Sequence, residues 1–174
     1  MNRTEESKLQ KVYLVSGLPG SGKTHFSRKL AKQLKIEFLD FDDNLNDLIS
    51  ENKKEFEELG AEEFLAKYSS LRYEELIKRV VKKLKTGVSL IACAPFTSQI
   101  NDLILWEKLI SPLKQFDPNP TLYWVSIPPA LRKERLLKRS NVRDRQKLVD
   151  IDQYMTQVKQ IPPVIDHIVI DGTD

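Results

Sequence analysis

Two hydrophobic periods alternate along this chain. Short, mostly apolar runs at Val12-Tyr13-Leu14-Val15, Ile36-Glu37-Phe38-Leu39, Val88-Ser89-Leu90-Ile91-Ala92-Cys93, Thr121 to Ile127 and His167-Ile168-Val169-Ile170 read as five strands. Between them apolar residues return every three or four positions. Phe26, Leu30, Ala31 and Leu34 predict a helix over 24–34 that packs on a sheet. The stretch 45–84 has no strand pattern and is rich in Glu and Lys. It predicts a helix near 44–50, a segment over 56–68 broken at Gly60, and a longer helix carrying Tyr73, Leu76, Ile77, Val80, Val81 and Leu84 on one face. The opposite face, with Lys78, Arg79, Lys82, Lys83 and Lys85, reads as solvated. A helix over 101–110 is expected to turn Leu103, Ile104, Trp106, Leu109 and Ile110 inward. Pro128-Pro129 opens another that contains Arg132, Arg135 and Arg139, and a last one lies around 147–159. Strands alternating with helices predict a three-layer α/β domain with right-handed crossovers. The third strand, apolar almost throughout, belongs at the centre of a parallel sheet.

Composition narrows this picture. At 174 residues the chain has room for one domain over 1–174 and not for two. With 40% hydrophobic and 30% charged residues it reads as soluble and globular, and no apolar run is long enough for a membrane span. The polar residues 1–10 read as a short tail without a signal peptide's apolar core, which points to a cytoplasmic protein. A single cysteine, Cys93, excludes an internal disulfide and a multi-cysteine metal site, and His25 and His167 have no ligand-like spacing. A net charge of +3 is too small to imply nucleic acid by itself.

The chemistry starts at Gly17-Leu18-Pro19-Gly20-Ser21-Gly22-Lys23-Thr24, which fits G-x-x-x-x-G-K-[ST] between a predicted strand and a predicted helix. Such a loop turns its backbone N–H groups inward at the positive end of a helix and binds phosphate. Lys23 can reach the β- and γ-phosphates of a nucleotide, and the Thr24 hydroxyl is placed to ligate Mg²⁺. His25, at the helix start, is left unassigned.

The second strand runs into Asp40-Phe41-Asp42-Asp43, and in an open parallel sheet ligands bind beyond the carboxyl ends of the strands. Strand alternation sends Asp40 and Asp42 to one side, where one carboxylate near the Mg²⁺ shell and another at an acceptor hydroxyl would suit phosphoryl transfer from ATP. The alternative for Asp42 or Asp43 is an N-cap on the following helix. Residues 44–86 are where a second substrate would be enclosed, with Arg72 and Tyr73 as polar candidates that could equally be packing residues. Cys93 stands where a Walker B strand would carry an aspartate, and reads as a small buried residue. The segment 94–97 after it is expected to line the site. Arg135 and Arg139 share a helix face, and Arg143 follows in a polar connection over 140–146. Placement of Arg139 and Arg143 on the loop side of the sheet points to phosphate contact. Asp171-Gly172-Thr173 after the fifth strand could border an adenine ring.

With these motifs placed, the chain resembles the small P-loop kinases, the nucleoside-monophosphate-kinase-like group that includes shikimate, gluconate and adenylate kinases, and within it the AAA-type ATP-binding proteins. The resemblance implies a P-loop NTPase fold with a five-stranded parallel sheet of order 2-3-1-4-5 and residues 17–24 as the ATP-phosphate loop. It implies Asp40 and Thr24 at Mg²⁺, Asp42 as the base on the acceptor hydroxyl, Arg135 packed on adenine, Arg139 on phosphate, and a short lid over 140–146 that carries Arg143. Gly60-Ala61-Glu62-Glu63-Phe64-Leu65 is similar to the shikimate kinase G-E-x-x-F-R segment, but Leu65 replaces the arginine that holds that substrate's carboxylate. The expected function is an ATP- and Mg²⁺-dependent kinase of a small-molecule hydroxyl or phosphate, a monomer or homodimer without membrane partners. Rival readings are a nucleic-acid 5′-hydroxyl kinase, which would need aromatics interleaved with its basic residues, and an ATP-binding regulatory module with little catalysis.

Overall fold

The computed structural model describes residues 10–139 and 145–173. Five strands, β1 (Val12–Ser16), β2 (Glu37–Asp40), β3 (Leu90–Cys93), β4 (Thr121–Ser126) and β5 (Ile168–Asp171), form one sheet in the order β2-β3-β1-β4-β5. Each of the four pairings is parallel. This is the architecture and order expected from the sequence.

Strand alternation divides the core. Val12 and Leu14 of β1, Leu90 and Ala92 of β3, and Leu122 and Trp124 of β4 face one side. There they meet Leu76, Ile77, Val80 and Leu84 of α4 (Ser69–Leu84) and Trp106 and Ile110 of α5 (Leu103–Ile110). The intervening residues Val15, Ile91, Cys93 and Val125 face the other side, under Phe26, Leu30 and Ala31 of α1 (Lys23–Leu34). Both faces of the central strands are therefore covered, and β3 is buried at all four positions. Buried Asp117 fixes the start of β1 by accepting the Val12 amide at 2.9 Å.

Between β2 and β3 the chain forms α2 (Leu45–Glu51), α3 (Lys53–Lys67) and α4, with Gly60 at φ 76° kinking α3 where the break was expected. Phe64 is fully buried between the rings of Phe56 and Tyr68. Because α4 is a layer of the core, the helical insertion within 44–86 reduces to α2 and α3.

Several local expectations fail for identifiable reasons. The polar face of α4 is only partly solvated, since Arg79 reaches Asp43 at 2.6 Å and Lys83 reaches Glu37 at 2.8 Å, pinning the helix to β2. Leu103 and Ile104 point outward, 63% and 80% exposed. Asp102 caps α5 by accepting the Ile104 and Leu105 amides, and the inward stripe begins only at Trp106. The last predicted helix is two, α7 (Arg145–Val149) and α8 (Ile151–Gln157), because Asp150 accepts the Gln153 amide at 2.9 Å and starts a new helix. Asp43 does not cap α2: the N-cap position is Asn44, without a side-chain cap hydrogen bond, and Asp43 instead accepts the Asp40 amide at 3.0 Å.

Candidate active site

The phosphate loop leaves β1 at Ser16, whose hydroxyl donates to the Pro95 carbonyl at 2.6 Å and ties the loop's entry to the end of β3. It enters α1 through Gly22, at φ 96°, a left-handed conformation that a residue without Cβ takes freely. Glycine has no side chain to occupy the first-turn amides, so they face the cavity beside the loop with the positive end of the helix dipole behind them. That cavity, about 340 Å³, is lined by Gly20, Gly22, Lys23, Thr24, His25, Arg135 and Arg139. Side chains from α1 and from α6 (Pro129–Arg139), more than a hundred positions apart in sequence, thus meet at one concave and strongly cationic spot. Such a spot suits a polyphosphate. Unassigned His25 lies on its rim, and Arg143 falls outside the described residues.

The loop is held from behind by close contacts that sequence reading did not single out. A Cβ on Gly172 would stand 2.3 Å from the Ser21 carbonyl oxygen and 2.7 Å from Ile127, so the segment after β5 presses directly on the loop. Its carbonyls are also acceptors: Arg135 donates through Nη1 to the Gly172 oxygen at 2.6 Å and through Nη2 to that of Thr173 at 3.3 Å. Arg135 is thereby fixed at the β5 rim beside Gly22.

On the other side of the loop, β1, β3 and β2 end level with one another, Cys93 pairing in register with both Val15 and Asp40. Thr24 Oγ1 donates to Asp40 Oδ2 at 3.1 Å. The other carboxylate oxygen, Oδ1, accepts the Asp42 amide at 3.0 Å. The strand stops at Asp40, so this turn, rather than strand alternation, sets where Asp42 lies relative to Asp40. Asp42 Oδ1 receives the Arg72 guanidinium at 2.7 Å, and Arg72 lies 3.9 Å over the Phe41 ring. A line of contacts therefore runs from the phosphate-loop hydroxyl through Asp40 and Asp42 to Arg72 on α4.

A hydroxyl and a carboxylate oxygen side by side are hard oxygen donors of the kind Mg²⁺ takes. Among the described residues no group of three His, Cys, Asp or Glu could hold a metal ion, so phosphate and water oxygens would have to complete its shell. Cys93 Sγ is 3.9 Å from Thr24 Oγ1, yet burial pushes its thiol up to about 11, with Lys23 opposing the shift. At neutral pH it is a protonated, inert neighbour of the site.

After β3 the chain turns through Phe96, buried at φ 48°, an uncommon conformation for a bulky side chain. Its amide is met by the Tyr73 hydroxyl at 2.9 Å, and the two rings stack 5.7 Å apart. Burial raises the Tyr73 pKa, which keeps that hydroxyl neutral. Tyr73 is thus a packing residue that shapes the 94–97 turn. A second cavity, about 410 Å³, opens between α3 and the α7–α8 segment, with Glu62, Leu65, Lys147, Asp150, Gln153 and Tyr154 among its walls.

Comparison with known proteins agrees with this anatomy. A family model described as an AAA domain matches residues 12–164. Among curated proteins the sequence has no match. Solved structures superpose over nearly the whole chain. A provisionally named kinase from Chloroflexus aurantiacus is 20% identical with a TM-score of 0.65, covering 95% of this chain and 86% of that one. A sugar kinase from Janibacter sp. HTCC2649 is 18% identical with a TM-score of 0.57, covering 95% and 87%. A gluconokinase from Sinorhizobium meliloti 1021 is 12% identical with a TM-score of 0.52, covering 95% and 84%. Identities this low carry the fold alone. Together with a phosphate loop built on Gly22, Lys23 and Thr24, they establish that the chain belongs to the AAA-domain family and has the P-loop fold of small kinases.

Proposed function

We propose that this protein is an ATP-dependent phosphotransferase acting on a hydroxyl of a small molecule. The observation that carries the reading is the line from Thr24 through Asp40 to Asp42, which joins the phosphate cradle to a carboxylate outside it. A nucleotide-binding module has no need of that second carboxylate, whereas phosphoryl transfer needs a group to orient the incoming hydroxyl. The kinases among the structural neighbours, one for sugars and one for gluconate, support the same class.

In this reading the first-turn amides and Lys23 hold the β- and γ-phosphates, Arg139 contacts them from α6, Arg135, anchored at the β5 rim, packs against the adenine, and Arg143, outside the described residues, is assigned a further phosphate contact. Thr24 and Asp40 would hold Mg²⁺, which when bound would supply neutralisation of the phosphate charge. Asp42 accepts the acceptor's proton or orients its hydroxyl, and Arg72 fixes the carboxylate in position. Transfer of this kind depends on positioning and electrostatics, so the inert Cys93 is no obstacle. The cavity beside α3 seats the acceptor. Leu65 offers no cation to a carboxylate, and although Lys147 lies in the same wall, Glu62, Asp150 and Gln153 beside it suit hydroxyl groups. The rings of Phe56, Phe64, Tyr68, Tyr73 and Phe96 pack against one another rather than along a basic channel, which favours a small molecule over a nucleic-acid end.

The test is incubation with ATP, Mg²⁺ and a panel of sugars, polyols and hydroxy acids. ADP and a phosphorylated acceptor should appear in equal amounts with one member or class. Tight ATP binding without transfer to any member would instead identify a regulatory module.

A further inference from the structure

Arg132 is the largest side chain with less than 2% exposure, and no step described above uses it. Charged side chains are almost never fully buried unless paired, and replacing such a group by a hydrocarbon of similar volume is often neutral or stabilising. Among the described residues no carboxylate pairs with it. Its Nη2 donates to the Val158 carbonyl at 2.7 Å, just past the end of α8, while its Nε is buried without a hydrogen-bond partner. Its guanidinium carbon lies 5.8 Å from the centre of the Tyr154 ring, a wall of the cavity between α3 and α7–α8. The other end of the residue touches the phosphate loop. A Cβ on Gly20 would stand 3.1 Å from the Arg132 carbonyl oxygen and 3.2 Å from its Cγ. The segment beyond α8 is tied to the same place, since Gln160 exchanges side-chain hydrogen bonds with both the amide and the carbonyl of Ile127, two residues before α6 opens.

We propose that Arg132 is a positioning residue that couples occupancy of the phosphate loop to the α8 wall of the second cavity. Its stem abuts the loop and its head holds Tyr154 and Val158, so the two walls move as one. A shift of Gly20 toward a bound phosphate relaxes or tightens the backbone of Arg132, and the guanidinium transmits that change to the end of α8. Because affinity coupling is reciprocal, a ligand in the second cavity then alters nucleotide affinity by the same factor. The inference rests on the nucleotide reading of the loop, but not on the identity of any acceptor.

Hydrogen exchange of the full chain with and without MgADP tests it. In the unsubstituted protein MgADP should slow exchange both at 20–26, in the loop, and at 151–158, in α8, the latter by about fivefold or more. Arg132→Met preserves the stem and removes the head. It should keep the slowing at 20–26 and lose it at 151–158, while Arg132→Lys, which can still reach the Val158 carbonyl, should regain part of it. A merely structural role would speed exchange at α8 in both variants equally with and without MgADP. Slowing at 20–26 in the unsubstituted protein with no change at 151–158 would overturn the coupling, and so would an undiminished α8 response in Arg132→Met. Should that variant not fold, the unsubstituted protein and Arg132→Lys still decide the matter. Absence of slowing at both segments would remove the nucleotide site itself, and the coupling with it.

Discussion

Gly172 and Cys93 show how much of this site is set by residues with no catalytic chemistry of their own. Gly172 lets the chain after β5 press against the Ser21 carbonyl, and that obstacle is backbone, which cannot swing aside. Gly172→Ala should therefore cost about 1–3 kcal/mol, the usual range for overpacking, and weaken ADP binding through the displaced loop. Thermal melting and calorimetric titration with MgADP check both effects. Cys93 makes a prediction in pH. Burial pushes its thiol from the ordinary 9.0 up to about 11 in the folded chain, so between these limits the unfolded state has lost a proton that the folded state retains. Stability is then full below pH 9 and falls as pH rises toward 11, by roughly 2–3 kcal/mol in total. Comparing the pH dependence of denaturant unfolding for the parent and Cys93→Ala isolates this slope, because the other alkaline groups titrate in both. The phosphate loop and Cys93's place at the strand end were legible in the sequence, each being a local pattern. The press of Gly172 on Ser21 and the Tyr73 bond to the Phe96 amide were not, because both join residues far apart in sequence that have ordinary neighbours.

The elements on either side of the loop divide the labour. The turn after β2 carries Asp42, the carboxylate proposed to face the acceptor, and α4 holds that turn through two ion pairs, Arg72 with Asp42 and Arg79 with Asp43. Asp42→Asn should lower phosphoryl transfer by about 10²- to 10⁴-fold, the range for a lost general base, while ADP affinity stays within about twofold of the parent. Arg72→Met should reduce kcat less, with the ATP KM nearly unchanged, because it removes a support and leaves the carboxylate in place. Steady-state kinetics on an acceptor found in the panel separate the two effects. Element types and order followed from periodicity, and so did the kink at Gly60. What periodicity misjudged were helix faces and joints. Arg79 and Lys83 have the spacing of a solvated face, yet Asp43 in the turn after β2 and Glu37 at the start of β2 lie within their reach. The same physics that makes Asp102 and Asp150 good caps reset the faces of α5 and split the last helix.

At the scale of the whole molecule, the sheet order β2-β3-β1-β4-β5 puts β1 between β3 and β4, so its loop is flanked by the Asp40–Asp42 turn on one side and the arginines of α6 on the other. The carboxylate turn and the arginines thus come from opposite halves of the sheet, on either side of that loop. If this arrangement is a kinase site, Lys23 is its least replaceable side chain, at the start of α1 inside the cationic cavity. The decisive measurement is ATP consumption by Lys23→Ala beside the parent, with matched circular dichroism, in Mg²⁺ and the best acceptor of the panel. Loss of turnover by at least about 10³-fold is expected if this charge stabilises the transferring phosphoryl group. A Lys23→Ala protein that consumes ATP at the parent's rate would contradict the assignment of the site.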